Sequence, residues 1–145
     1  MSELVAIRDL SIRFHSEVGT TEAVKNLTFD LRRGEITALV GESGSGKSVT
    51  AASLLGLLPN NAEVTGEVLF THNDTTVDIT QLTERDPRLR SLRGDQISMV
   101  FQEPMTALSP VHTIGDQISE AILCHQTVTH EAAWGQAEAM LSAVG

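Results

Sequence analysis

The chain has little of what would cross-link it or hold it in a membrane. Its 145 residues include one cysteine, Cys124, so no internal disulfide can form, and we expect a buried, reduced thiol as in a cytosolic protein. It contains no apolar run of about 18 residues, the length that a membrane-spanning helix needs. The start, Met1-Ser2-Glu3-Leu4, lacks the basic and apolar regions of a signal peptide.

Basic residues are also scarce. Ten lysines and arginines stand against 19 aspartates and glutamates, for a net charge of −9, which argues against a nucleic-acid surface because such a surface needs a basic stripe. Only two lysines occur, Lys25 and Lys47. The histidines lack the spacing of metal ligands, and we expect them all at the surface: His15, His72, His112, His125 and His130.

What the sequence does contain is the octapeptide Gly41-Glu42-Ser43-Gly44-Ser45-Gly46-Lys47-Ser48, which matches G-x-x-x-x-G-K-[ST] at every fixed position. The apolar run Glu35–Val40 before it predicts a buried strand. The segment Val49–Leu58 after it predicts a helix stopped by Pro59. Strand, glycine-rich turn and helix form the context that identifies a phosphate-binding loop, and they disfavour a glycine-rich turn with an incidental Gly-Lys-Ser.

The residue types of this octapeptide suit a nucleotide phosphate. Gly41, Gly44 and Gly46 permit backbone angles closed to other residues, so that successive N–H groups can point at an anion. Lys47 would bring a positive charge to the β- and γ-phosphates. Ser48 would give its hydroxyl to Mg²⁺, which keeps most of its ligands as water and phosphate oxygen. The sequence therefore predicts a nucleotide site.

Alternating and helical patterns predict the other elements. The threonines Thr83, Thr113 and Thr129 are the expected helix N-caps. The predicted strands are Leu4–Phe14, Ala23–Leu31, Thr65–Phe70, Thr76–Thr80 and Gln96–Phe101, and the predicted helices are Glu84–Arg93 and two more that follow Thr113 and Thr129.

A second motif, Val100-Phe101-Gln102-Glu103-Pro104-Met105-Thr106-Ala107-Leu108-Ser109-Pro110, follows the octapeptide by some fifty residues. Together the two motifs resemble an ATP-binding-cassette (ABC) transporter ATPase, and more narrowly those of dipeptide, oligopeptide and nickel importers. The resemblance runs from Leu4 to Gly145 and implies an α/β fold. This fold is a RecA-like P-loop NTPase core with a parallel sheet, an antiparallel β subdomain and the start of a helical subdomain. It implies three parts: subdomain and core at about 1–102, a Q-loop at 102–110, and helices at 111–145.

The resemblance also implies site residues. Gln102 would be the Q-loop glutamine, which contacts Mg²⁺ and the attacking water and acts with Lys47 in catalysis; by itself it would be an ordinary loop glutamine. Phe14 would stack on adenine, the alternative being a core phenylalanine at a strand end. ATP and Mg²⁺ are the implied cofactors. The nucleotide-binding residues would be Phe14, Gly41, Glu42, Ser43, Gly44, Ser45, Gly46, Lys47, Ser48 and Val49, and the Mg²⁺ ligands Ser48 and Gln102.

Some parts of such a cassette do not occur in these residues. The chain has no Leu-Ser-Gly-Gly-Gln signature, no apolar strand ending in Asp-Glu and no assignable switch histidine, so we expect the N-terminal portion of a cassette that binds ATP without hydrolysing it alone. The parent would be an ATPase on the cytoplasmic face of the inner membrane that couples ATP hydrolysis to transport of peptides or a related small solute. Its partners would be permease subunits and a second cassette. The alternatives are a soluble P-loop kinase and a nucleotide-binding or interaction module without turnover.

Overall fold

The computed structural model describes residues 3–101 and 108–145, so Gln102 lies outside the described residues. The described chain forms two compact units, one up to Arg90 and one from Ser91. No helix among the described residues has the length and apolar character needed to cross a membrane. In chain order the elements are β1 (Glu3–Ser16), β2 (Gly19–Arg32), α1 (Lys47–Ser53), β3 (Ala62–His72), β4 (Thr75–Asp78), α2 (Pro87–Leu92), α3 (Ile114–His125) and α4 (His130–Val144).

An antiparallel sheet dominates the first unit. Its four strands lie in the order β2-β1-β3-β4, and every neighbouring pair is antiparallel. The alternating apolar residues that predicted β1 and β3 form its core, and Ile7, Leu10, Ile12 and Val68 are fully buried. The predicted antiparallel strands are therefore confirmed. The strand predicted at Thr76–Thr80 ends at Asp78, because the chain turns into a 3-10 helix whose Thr80 N–H donates to the Asp78 carboxylate (3.0 Å).

The strand predicted at Glu35–Val40 is wrong for this structure. The segment forms no regular element, and all six of its residues are exposed, Ile36 completely. The strand predicted at Gln96–Phe101 is also not formed, apart from one parallel bridge between Arg93 and Ile97. A strand requires a neighbouring strand for its backbone N–H and C=O groups. Neither segment has such a neighbour among residues 3–101 and 108–145, so the expected parallel sheet is not formed there.

Two helices differ in detail from the prediction. The helix after the phosphate loop ends at Ser53 instead of Leu58, and the chain leaves it through Gly56 at φ +59°. The helix predicted from Glu84 begins at Pro87, because a residue before proline favours extended backbone and proline suits the first helical turn. Asp86 therefore replaces Thr83 at the start: its carboxylate accepts the Arg88 N–H (2.9 Å), and the Arg88 guanidinium lowers the pKa of this carboxyl.

The second unit contains α3 and α4. Thr113 accepts the N–H of Asp116 (3.1 Å) and Thr129 that of Ala132 (3.2 Å), so both predicted N-caps are confirmed. A small core joins the two helices through Ile118, Ile122, Val128, Ala133 and Ala137. The buried thiol predicted at Cys124 is wrong, because Cys124 lies two residues after the buried Ile122, about 200° around the helix, and is exposed.

Candidate phosphate loop and nucleotide site

The octapeptide leads directly into α1, which begins at Lys47. Gly44 and Gly46 have φ of +80° and +87°, in the left-handed region that favours glycine. The Ser45 N–H donates to the Glu42 carbonyl (3.2 Å) and closes a turn within the loop. Two of the three glycines that were expected to use such angles, Gly44 and Gly46, therefore do so, whereas Gly41 has no positive φ.

Gly46 is buried against β2. A Cβ atom at Gly46 would lie 2.3 Å from the Ala23 carbonyl oxygen and 3.1 Å from Val24 Cγ2. Strand β2 contains one additional residue at this point, because Ile12 pairs with Val24 and the next residue of β1 pairs with Glu22, which leaves Ala23 as a bulge. The close approach of the loop to this bulge therefore requires glycine at position 46 for space as well as for its backbone angle.

Lys47 folds over the loop that precedes it. Its Nζ donates to the carbonyl oxygens of Gly41 (2.8 Å) and Glu42 (2.6 Å) and lies 3.3 Å from the Ser45 hydroxyl. These contacts hold the positive charge of Lys47 against the backbone of the loop. The hydrogen bonds are formed on an exposed surface, so an anion can reach the same charge from solvent.

Helix α1 is held to the loop through Thr50. Thr50 is buried, and both its N–H (2.8 Å) and its hydroxyl (3.0 Å) donate to the Gly46 carbonyl. Ser48, the predicted Mg²⁺ ligand, lies in the first turn and is exposed, whereas Val49 is half-buried. The described residues contain no group of three or more His, Cys, Asp or Glu that could hold a metal by themselves. Mg²⁺ keeps most of its ligands as water and phosphate oxygen, so a single hydroxyl such as that of Ser48 fits its chemistry.

Phe14 lies near the end of β1, between Thr21 of β2 and Ala62 of β3. It is half-buried, so part of its ring faces solvent. The register between β1 and β3 is regular from Ile12 to Phe14, so these two side chains lie on one face of the sheet, about 7 Å apart along the strand. Ile12 pairs with Val24, the residue that the phosphate loop approaches, so Phe14 lies on the face of the sheet that Gly46 contacts.

A polar network that was not predicted from the sequence lies on the opposite face of these strand ends. The His15 ring contacts the Thr20 hydroxyl through Nδ1 (3.0 Å) and the Glu63 carboxylate through Nε2 (3.1 Å). Arg13 forms an ion pair with Glu22 on the same face (3.1 Å). The alternation of Arg13 and His15 with apolar residues places them on that face, but no sequence pattern specifies which partners they find.

The other predicted site residues divide into two groups. Glu42, Ser43 and Ser45 lie in the exposed part of the loop. Gln102 lies outside the described residues. After the undescribed segment, the Gln117 side chain binds the backbone of Ser109, accepting its N–H (2.8 Å) and donating to its carbonyl (3.1 Å).

Comparison with known proteins identifies the family. Residues 24–145 match the family model described as ABC transporter. The chain belongs to this family. Among curated ABC relatives, the chain is 44% identical to the dipeptide transport ATP-binding protein DppD of Bacillus subtilis over 100% of its own length. It is 47% identical to the peptidoglycan transport ATP-binding protein YejF of Agrobacterium fabrum and 45% identical to the glutathione import ATP-binding protein GsiA of Salmonella choleraesuis, each over 98% of its length.

The chain spans only part of these ABC proteins. It covers 42% of the first relative, 25% of the second and 23% of the third. Among solved structures, it is similar to the ATP-binding cassette MJ0796, determined as a dimer in a post-hydrolysis state bound to ADP and Pi. The TM-score is 0.73 over 95% of this chain and 56% of the other, at 21% identity. That likeness confirms the predicted α/β cassette fold, although the parallel strands expected in it are not formed among the described residues.

Proposed function

We propose that this chain is the ATP-binding portion of an ABC transporter ATPase that drives uptake of peptides or a related small solute. The observation that supports this most directly is the loop itself, in which Gly44 and Gly46 adopt left-handed angles and the Lys47 ammonium lies over the turn. The names of the relatives support the transported class, since they include dipeptide, peptidoglycan and glutathione transport proteins.

In this proposal the loop binds the phosphates of MgATP. Backbone N–H groups of residues 41–46 and the charge of Lys47 neutralise the phosphate oxygens, and Ser48 ligates Mg²⁺. Val49 offers only its backbone N–H to the α-phosphate, and Phe14 stacks on the adenine. Catalysis consists of positioning and of charge stabilisation at the γ-phosphate, to which Lys47 contributes directly. Gln102 would ligate Mg²⁺ and contact the attacking water.

The whole protein would work as a peripheral subunit on the cytoplasmic face of the membrane. Its partners would be permease subunits and a second cassette, in agreement with the dimeric state of the similar solved cassette. A second candidate function is nucleotide binding without turnover. It is favoured by the lack, in these 145 residues, of a signature sequence and of a strand ending in Asp-Glu.

The test is the substitution Lys47→Ala, with Lys25→Ala as the matched control. Lys25 is the other lysine of the chain and forms an exposed ion pair with Glu22 (3.7 Å). A hydrogen bond to a charged group contributes about 1.5–3 kcal/mol, so Lys47→Ala should weaken MgATP binding by about 10- to 150-fold. Lys25→Ala should leave the affinity unchanged.

Isothermal titration of each folded variant with MgATP measures the effect, and circular dichroism checks the fold. Equal affinities for the wild type and folded Lys47→Ala would contradict the assignment of the loop. Phosphate release by the same samples separates the two candidate functions. Turnover that is abolished by Lys47→Ala would show that these residues hydrolyse ATP by themselves and would exclude the binding-only candidate.

A further inference from the structure

Asn61 holds the backbone of the residue that follows Phe14. It lies in the loop between α1 and β3 and makes two hydrogen bonds to His15. The His15 N–H donates to the Asn61 carbonyl (3.0 Å), and the Asn61 side-chain amide donates to the His15 carbonyl (2.9 Å). The backbone N–H and C=O of His15 are therefore both bound to Asn61, a residue of the loop before β3.

These bonds restrict Phe14 because of how peptide units are connected. The His15 N–H belongs to the planar unit that joins Phe14 to His15, so its hydrogen bond fixes the ψ angle of Phe14. The His15 carbonyl belongs to the next unit, which the Asn61 side chain fixes in turn. The χ1 preference of Phe14 follows its own φ and ψ angles, so the first unit acts on the ring directly. The second unit acts indirectly, because it holds the end of β1 that carries Phe14.

The His15 side chain also holds this end of β1, through contacts on the opposite face of the sheet. Its ring bridges Thr20 of β2 and Glu63 of β3 through one nitrogen each. Neighbouring residues of a strand point to opposite faces, so this bridge leaves the Phe14 face open to a ligand. Strand β2, strand β3 and the loop before β3 thus all bind His15, the residue next to the expected adenine platform.

Asn61 also lies on the path from the phosphate loop. Helix α1 begins at Lys47, and the chain after it reaches Asn61 through a turn in which the Ala62 N–H donates to the Pro59 carbonyl (2.9 Å). We propose that Asn61 is a positioning residue for the nucleotide base: it ties the end of β1, and with it the Phe14 ring, to the segment that leaves the phosphate-loop helix. This inference rests on the proposed function.

A merely structural Asn61 would produce a different result, and the choice of ligands separates the two roles. MgATP uses both the loop and the base platform, whereas magnesium tripolyphosphate has the same three phosphates and no base. A structural defect lowers the affinity for both ligands. A defect in base positioning lowers the affinity for MgATP and leaves that for tripolyphosphate unchanged.

The experiment titrates both ligands into the wild-type chain, Asn61→Ala and Asn61→Asp, with Asn60→Ala as the control. The Asp variant keeps the size of the side chain but cannot donate to the His15 carbonyl, and Asn60 is an exposed neighbour of the same type. Loss of one neutral hydrogen bond should weaken MgATP binding by about three- to tenfold in both Asn61 variants. Binding of tripolyphosphate should stay within about twofold of the wild type, and Asn60→Ala should match the wild type for both ligands.

A double-mutant cycle tests whether Asn61 acts through Phe14. If it does, Asn61→Ala has no further effect on MgATP affinity in a Phe14→Leu chain. An equal loss for both ligands, or an undiminished effect in the Phe14→Leu chain, would overturn the inference and leave the proposed function standing. A wild-type chain that binds MgATP no more tightly than tripolyphosphate would also overturn it. A wild-type chain that binds neither would refute the proposed function itself, and this inference with it.

Discussion

At the scale of single residues, two glycines of the phosphate loop share a backbone conformation but differ in their surroundings. Gly44 (φ +80°) has nothing within 4 Å of a Cβ position, whereas at Gly46 (φ +87°) the Ala23 carbonyl is 2.3 Å away. The pair therefore separates the cost of the backbone angle from the cost of the contact. A change at Gly44 tests the angle alone, and a change at Gly46 tests both.

We expect Gly44→Ala to lower the free energy of unfolding by about 1 kcal/mol, the cost of a left-handed angle for alanine. Gly46→Ala should cost about 1–3 kcal/mol more, because the strand or the helix must move to admit the methyl group. Urea unfolding followed by circular dichroism measures both values. Equal losses would show that the bulge at Ala23 is not in contact with Gly46 in solution.

The backbone angles of these glycines could be predicted from the sequence, but the contact at Gly46 could not. The octapeptide predicts glycines with positive φ and a lysine at the loop; Gly44, Gly46 and Lys47 agree with this prediction, whereas Gly41 has no positive φ. The contact between Gly46 and Ala23 depends on a bulge in another strand, where one residue more or less leaves the alternation almost unchanged. The pairing of Asn61 with His15 is equally hidden, since the two residues are far apart in sequence and neither belongs to a motif.

At the scale of elements, glycines in the two long helices make a similar contrast. Gly115 lies in the first turn of α3, where a Cβ would lie 2.6 Å from Trp134 Cη2 of α4. Gly135 lies inside α4 and has nothing within 4 Å of its Cβ position. The indole of Trp134 thus packs over the bare backbone of Gly115, and the two helices approach each other closely at that point.

The substitution Gly135→Ala should raise the free energy of unfolding by about 0.5–1 kcal/mol, because alanine loses less backbone entropy in a helix. Gly115→Ala should instead lower the free energy of unfolding by about 1–3 kcal/mol, because its methyl group displaces the indole of Trp134. Trp134 is the only tryptophan of the chain, so its emission reports the displacement directly. An unshifted emission spectrum in Gly115→Ala would contradict the packing.

The ends of the helices could be predicted where a side chain determines them. Thr113 and Thr129 were expected as N-caps from a hydroxyl residue ahead of an apolar stripe, and both hydrogen bonds are present. Asp86 was missed because Thr83 offered the same capping chemistry, although the preference of proline for the first helical position favours Asp86 as the cap. The end of α1 at Ser53 was missed because Gly56 inside an apolar segment does not reveal its positive φ.

At the scale of the whole molecule, the apolar residues of the first unit fall into two classes. Ile7 is fully buried in the sheet, whereas Ile36, in the segment before the phosphate loop, is fully exposed. The sequence predicted both as strand residues from their apolar neighbours. An apolar pattern predicts which residues favour burial. Burial also requires neighbouring strands, and the pattern does not predict whether they are present.

The two isoleucines should therefore respond differently to truncation. Ile7→Ala should lower the free energy of unfolding by about 2–5 kcal/mol, the usual cost of a cavity in a core. Ile36→Ala should change it by less than about 0.5 kcal/mol, as for other exposed positions. Both values come from urea unfolding of the same chain. A large loss in Ile36→Ala would mean that residues 35–40 are buried in solution, as their pattern predicted.

The contact between Gly46 and the bulge in β2 has a consequence for protein engineering. Phosphate loops are attractive for transplanting into new scaffolds, because the octapeptide is short and its chemistry is local. In this chain the last glycine of the loop fits against a carbonyl that a strand some twenty residues earlier provides. A graft that carried the octapeptide alone would omit the strand that Gly46 contacts. The unit to transplant is therefore the loop together with the bulged strand β2.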